Sequence, residues 1–66
     1  MVLNLIRSKS FPSLVFFETD DGRKGRTWRY AAGKERGVDD LLNTARYQLS
    51  MTDDELVDIE IHQLSV

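Results

Sequence analysis

Residues 20 to 30 read DDGRKGRTWRY, so that Arg23, Lys24, Arg26 and Arg29 follow an acidic, glycine-bearing turn with Trp28 and Tyr30 among them. Cations interleaved with aromatics suit two kinds of work. They can track a phosphate backbone while bases stack on the rings, or they can form the charged edge of a surface that docks on another protein. Other chemistry is sparse. His62 is the sole histidine, and no cysteine is present. Thiolate catalysis, disulfides and cysteine-held zinc are therefore excluded. Glu60 and His62 stand two apart, as ligands on one strand face would, but no second shell is specified around them and a solvated acidic face accounts for both. Asp53, Asp54 and Glu55 lack the ligand spacing and central glycine of a calcium loop. Gly22 and Gly25 bracket Arg23 and Lys24 in a GxxG pattern, which in nucleic-acid modules joins two helices; here it falls in a hairpin. The expectation is a protein without catalytic residues, cofactor or metal.

Two further residues are candidate contacts. On a helical projection Tyr47 lies opposite the apolar face, with Met51 four residues on, so the pair forms an outward anchor for a partner.

The elements that must position these groups are short. Residues 14 to 19, LVFFET, are β-branched and aromatic, bounded by Pro12 and Ser13 and by Asp20 to Gly22, and read as a strand. Residues 26 to 32 read as its hairpin partner. A three-residue loop at Asp21 to Arg23 sets Glu18 against Arg26, Asp20 against Lys24, Phe16 against Trp28 and Leu14 against Tyr30. A two-residue Asp21-Gly22 turn sets Phe17 against Arg26 and Val15 against Trp28. Val38, Leu41, Leu42, Ala45 and Leu49 form one face of an amphipathic helix over residues 38 to 50. Asp39 and Asp40 in its first turn suit the positive end of the dipole. Thr52 and Glu55 have the form of a capping box, which predicts a helical turn at 53 to 56. Val57, Ile59 and Ile61 then alternate with Asp58, Glu60 and His62 as a strand does. The N-terminal VLNLIR is a further strand in one reading, with Lys9, Ser10 and Pro12 as its turn.

The implied fold class is α+β: a small antiparallel sheet of three or four strands with one amphipathic helix packed on one face, in the order ββαβ, with or without the extra N-terminal strand. The last strand is expected to run antiparallel beside residues 14 to 19. One helix covers only one face of a sheet. Either Leu14 and Phe16 with Trp28 and Tyr30, or Val15 and Phe17 with Thr27 and Arg29, must lie on the open side, where an external partner or a second copy covers them.

A chain of 66 residues is one domain, 1–66, with little core to spare for a catalytic cleft. Hydrophobic residues at 41% and charged residues at 30% match folded domains. No apolar run is long enough for a membrane span, and a cytoplasmic protein without membrane partners is expected, in the host cytoplasm if it is viral. The net charge of −2 conceals a segregation. Residues 1 to 36 carry eight cations against four acids, and residues 37 to 66 carry one against seven. Such a dipolar surface steers charged partners.

The hairpin ending in Tyr30-Ala31, the helix opened by Val38-Asp39-Asp40-Leu41-Leu42 and continued by Ala45-Arg46-Tyr47-Gln48, and the closing strand resemble the small phage-encoded inhibitors of host bacterial RNA polymerase. The similarity covers roughly residues 14 to 62; the N-terminal segment and the longer Gly33 to Gly37 loop depart from it. The resemblance implies a protein that docks through charged residues of the sheet edge and acts by obstruction, with Arg23, Lys24, Arg26 and Arg29 as contacts and host RNA polymerase as partner. Its rival is a small nucleic-acid-binding regulator using the basic hairpin, which the acidic overall charge disfavours. A homodimeric structural subunit is the third. Under the docking alternative, Trp28 and Tyr30 pack on the strand's aromatic face and are withheld from bases.

Overall fold

The computed structural model describes all residues from Met1 to Val66. Alternation of apolar and polar side chains builds the first layer. In β1 (Val2–Ser8), Leu3 and Leu5 are fully buried while Asn4 and Ile6 point the other way. In β2 (Phe11–Thr19), Val15 and Phe17 are fully buried on the same side as Leu3 and Leu5. β3 (Lys24–Trp28) completes the hairpin. A two-residue ribbon, β4 (Tyr30–Ala31) and β5 (Lys34–Glu35), leads into helix α1 (Val38–Gln48). A five-residue helix, α2 (Asp53–Val57), and β6 (Glu60–Ser65) end the chain. The core consists of Leu3, Leu5, Val15 and Phe17 from the sheet, Leu41, Ala45 and Leu49 on or ending α1, and Met51. The α+β architecture with one main helix on one face of a small sheet is therefore as the sequence implies.

The strand order is β3-β2-β1-β6, and this corrects the expected neighbour of the last strand. β6 runs antiparallel to β2, as expected, but does not touch it. β1 lies between them, paired antiparallel with β2 and parallel with β6. The reason is burial: Leu3 and Leu5 are core residues, so the N-terminal segment is an inner strand and the sheet is mixed. The last strand also starts later than its alternation suggests. Val57 ends α2 and is exposed, because the capping box holds residues 53 to 57 in helix: Thr52 Oγ1 accepts from the Glu55 N–H, and the Glu55 carboxylate accepts from the Thr52 N–H.

The hairpin takes neither expected register. Its loop has three residues, Asp20-Asp21-Gly22, one position earlier than expected. The Thr19 N–H donates to Arg23 O at 3.0 Å, the Arg23 N–H donates to Thr19 Oγ1 at 2.9 Å, and Gly22 adopts φ +93° at the loop's last position. Glu18 thus faces Lys24, Phe16 faces Arg26 and Leu14 faces Trp28. The pairing differs from the three-residue expectation by two positions, so the residues sharing each face are unchanged. Tyr30 no longer faces Leu14. The strand breaks at Arg29, and Tyr30 pairs with Glu35 across the Ala32-Gly33 turn, whose residues have φ 52° and 76°.

α1 ends before residue 50. The Met51 N–H donates to Arg46 O, the Ser50 N–H donates to Tyr47 O, and Ser50 is left-handed at φ 53°. This pattern of bonds closes a helix and returns an apolar side chain to it. Met51 is accordingly buried, and its expected place outward beside Tyr47 is corrected: the helical projection does not extend to residue 51.

Candidate functional site: the open face of the sheet

Strand parity separates the four cations of the basic hairpin. Lys24 and Arg26 alternate with Arg23 and Arg29, and the two pairs do different things. Arg23 is a clamp: Nη1 and Nη2 donate to the two Glu55 carboxylate oxygens at 3.2 and 2.5 Å, Nη2 lies 2.9 Å from Asp21 Oδ2, and Nη1 also reaches Leu49 O. This fork joins the hairpin loop to the end of α1 and the start of α2. The Arg23 hydrogen bonds, helped by the Thr52 N–H, hold the Glu55 carboxyl down at about 2. The Thr19 hydroxyl, followed by Arg23, lowers Asp21 in the same way. Arg29 donates from Nε to Glu35 Oε1 at 3.0 Å, and its guanidinium carbon lies 5.4 Å from the Tyr30 ring centroid. Arg7 Nε approaches the same Glu35 oxygen at 3.7 Å. Lys24 pairs loosely with Glu18, at 3.8 Å. Arg26 holds no carboxylate; its backbone is engaged instead. The Arg26 N–H donates to Gln48 Oε1, and Gln48 Nε2 donates to Arg26 O, both at 2.7 Å. The four cations are thus not one basic edge. Arg23 and Arg29 brace the fold, and Lys24 and Arg26 stand on the open side.

That side carries three exposed large apolar residues, Phe11, Trp28 and Leu64. The registers align Leu14 with Trp28, then Arg26, Phe16, Ile6 and Leu64 across all four strands, then Lys24, Glu18, Asn4 and His62. Phe11 meets Phe16 edge to face at 5.9 Å. Trp28 is 66% exposed and Phe11 55%, and no element covers either. Beside Trp28 a groove of about 490 Å³ is lined by Ser13, Leu14, Arg26, Thr27 and Gln48. The expected packing of Trp28 and Tyr30 on the strand's aromatic face is corrected by these exposures. The ring of Trp28 faces solvent, because Leu14 beside it is too small to cover an indole, and Tyr30 has left the sheet.

Tyr47 is 81% exposed on α1, as its helical position requires. It lies on the helix side, away from Trp28, and without Met51 it stands alone. His62 Nε2 is 3.3 Å from Glu60 Oε1 at the far end of the open face. No three His, Asp or Glu side chains converge, and no helix is long and apolar enough to cross a membrane.

Two residues that organise this surface escaped sequence reasoning. Arg36, read as part of a charged loop, donates to Asp40 at 2.7 and 3.1 Å, to Thr27 Oγ1 at 2.9 Å, to Trp28 O at 3.2 Å and to the Thr44 hydroxyl. Arg36 precedes the N-cap Gly37, so its spacing of four from Asp40 is not a pair on one helix and gave no signal. Gln48 gave none either, since its partner is backbone 22 residues away. Comparison with known proteins finds no matching family model, no matching curated protein and no matching solved structure.

Proposed function

We propose that this chain is a non-catalytic docking protein that inhibits or modulates a larger protein assembly by seating its open sheet face on the partner's surface. A host machine such as RNA polymerase is the partner class implied by the resemblance. Support comes from one observation above all: exposed Trp28, Phe11 and Leu64 and half-buried Leu14, Phe16 and Ile6 share the face that no helix covers, beside the guanidinium of Arg26, which holds no carboxylate. Exposed apolar surface of this extent on a small domain marks an interaction site. An aromatic anchor beside an arginine is the composition that dominates binding energy at protein interfaces. The partner patch would be apolar with a carboxylate opposite Arg26.

Single-stranded nucleic acid is the second reading, favoured by the solvent-facing indole, which could stack a base. Glu18 and Glu60 share the face with Lys24 and Arg26 and offset their charge, which leaves little to track a phosphate chain. Trp28 is the sole tryptophan, so its fluorescence reports the face directly. The wild type should retain a bacterial protein on affinity capture that is lost by both Trp28→Ala and Arg26→Glu, while single-stranded homopolymers leave the emission unchanged at low salt. A protein retained equally by wild type and both variants would overturn the docking face. Salt-sensitive quenching by homopolymers would replace it with the nucleic-acid reading.

A further inference from the structure

The two edges of the sheet are treated differently. A bare strand edge offers unpaired N–H and C=O groups to any other strand, and proteins blunt such edges with charge, proline, bulges or covering groups. On β3 the Gln48 amide takes both backbone groups of Arg26, and Arg36 takes Trp28 O. On β6 nothing comparable occurs. The Glu60 N–H donates to Met1 O and the Val66 N–H donates to Arg7 O, so the even residues of this segment turn their backbone toward β1. By the alternation of a parallel ladder, Ile61, Gln63 and Ser65 turn theirs outward. The strand EIHQLS holds no lysine, arginine or proline, and its pairing with β1 runs without a bulge from Glu60 to Ser65.

We propose that the chain forms a twofold dimer in which β6 pairs antiparallel with β6 of a second copy, centred on Gln63. The occupant follows from closure. Each chain has one capped edge and one open edge, so an isologous pair consumes both open edges and growth stops at two, whereas a head-to-tail pairing would need the β3 edge that Gln48 occupies. The register follows from the outward residues. Centring on Gln63 sets Ile61 against the partner's Ser65 and Gln63 against the partner's Gln63 as hydrogen-bonded pairs. It also sets His62 against the partner's Leu64, and no two acids or two imidazoles face each other. Centring on His62 would oppose the two imidazoles. The result is a continuous eight-stranded sheet in which the two open faces become one, and the docking face itself stays free.

An interface made mainly of one strand edge falls at the small end of the size range, so the test is a concentration series into the hundreds of micromolar by sedimentation equilibrium. The expected result is a reversible shift from one to two chain masses. Gln63→Pro removes an outward N–H that β1 does not use, a tolerated edge substitution, and should stay monomeric with an unchanged circular dichroism spectrum. In the otherwise cysteine-free chain, Gln63→Cys should be joined to its mate by a short bifunctional thiol reagent far faster than Glu60→Cys. A wild type that remains monomeric throughout, a dimer that survives Gln63→Pro, or equal crosslinking of the two cysteine variants would each overturn the proposal. Because these readouts need no external partner, their failure is distinct from failure of the docking face.

Discussion

Replacing Arg36 by alanine removes the one side chain that touches β3 and α1 from the segment joining them. Its side chain is 13% exposed, while that of its partner Asp40 is 56% exposed. The Asp40 arm therefore counts as a solvent-screened surface pair and adds little. The bonds to Thr27 Oγ1, Trp28 O and the Thr44 hydroxyl come from a charged donor, for which net values run at about 1.5 to 3 kcal/mol. They are taken once and not three times, because all three acceptors lie near the surface and can turn to water. The loss is therefore about 1.5 to 3 kcal/mol, against a total stability of roughly 3 to 10 kcal/mol for a chain of this size. With a urea slope of about 1 kcal/mol/M, the midpoint should fall by about 1.5 to 3 M, followed by circular dichroism and by Trp28 emission. Arg36→Lys should recover less than half of the loss, since an ammonium cannot fork between Asp40 and the β3 groups. A loss below about 0.5 kcal/mol, the usual range for an inert surface change, would refute the view that this guanidinium ties β3 to the helix.

Two other outcomes follow from the same geometry. The Glu55 carboxyl is depressed from 4.5 to about 2, so the Arg23 clamp contributes fully above the unfolded value and is lost as pH falls from about 4.5 toward 2; thermal melts over that window should show a smaller decline for Glu55→Gln than for wild type. A Cβ built on Gly25 would lie 2.1 Å from Gln48 Oε1 and 3.1 Å from Leu49 Cδ2, so Gly25→Ala should expel the Gln48 amide from the β3 edge, cost about 1 to 3 kcal/mol in urea titrations and raise light scattering on concentration.

What was legible in the sequence was local. The amphipathic stripe from Val38 to Leu49, the Thr52 to Glu55 capping box and the hairpin of β2 with β3 each rest on residues close together in the chain, where periodicity, caps and turn glycines speak directly. The neighbours of β1 were not legible, because VLNLIR is too short for its pattern to distinguish an inner strand from an edge. The hairpin register was underdetermined because Gly22 and Gly25 are both glycines. Only the contact of Gly25 with Gln48 explains why the second one is there. Arg23, Lys24, Arg26 and Arg29 read as one basic edge in DDGRKGRTWRY, whereas the register puts Lys24 and Arg26 on the face opposite Arg23 and Arg29. The ion pairs of Arg23 with Glu55 and of Arg36 with Asp40 were not legible either. The second joins a loop residue to the first turn of α1 four positions on, whereas the first spans 32 residues, and both needed the fold.

The parallel ladder between β1 and β6 joins the first element of this chain to the last. During synthesis β1 must wait, with one side unpaired, until β6 has emerged. Contacts at that separation carry the largest loop-closure cost, and chains dominated by them fold slowly. The β2–β3 hairpin and α1 can form from nearby residues, whereas β6 docking closes the longest loop, and a chain stopped before Glu60 would present β1, an inner strand of the finished sheet, as an open edge.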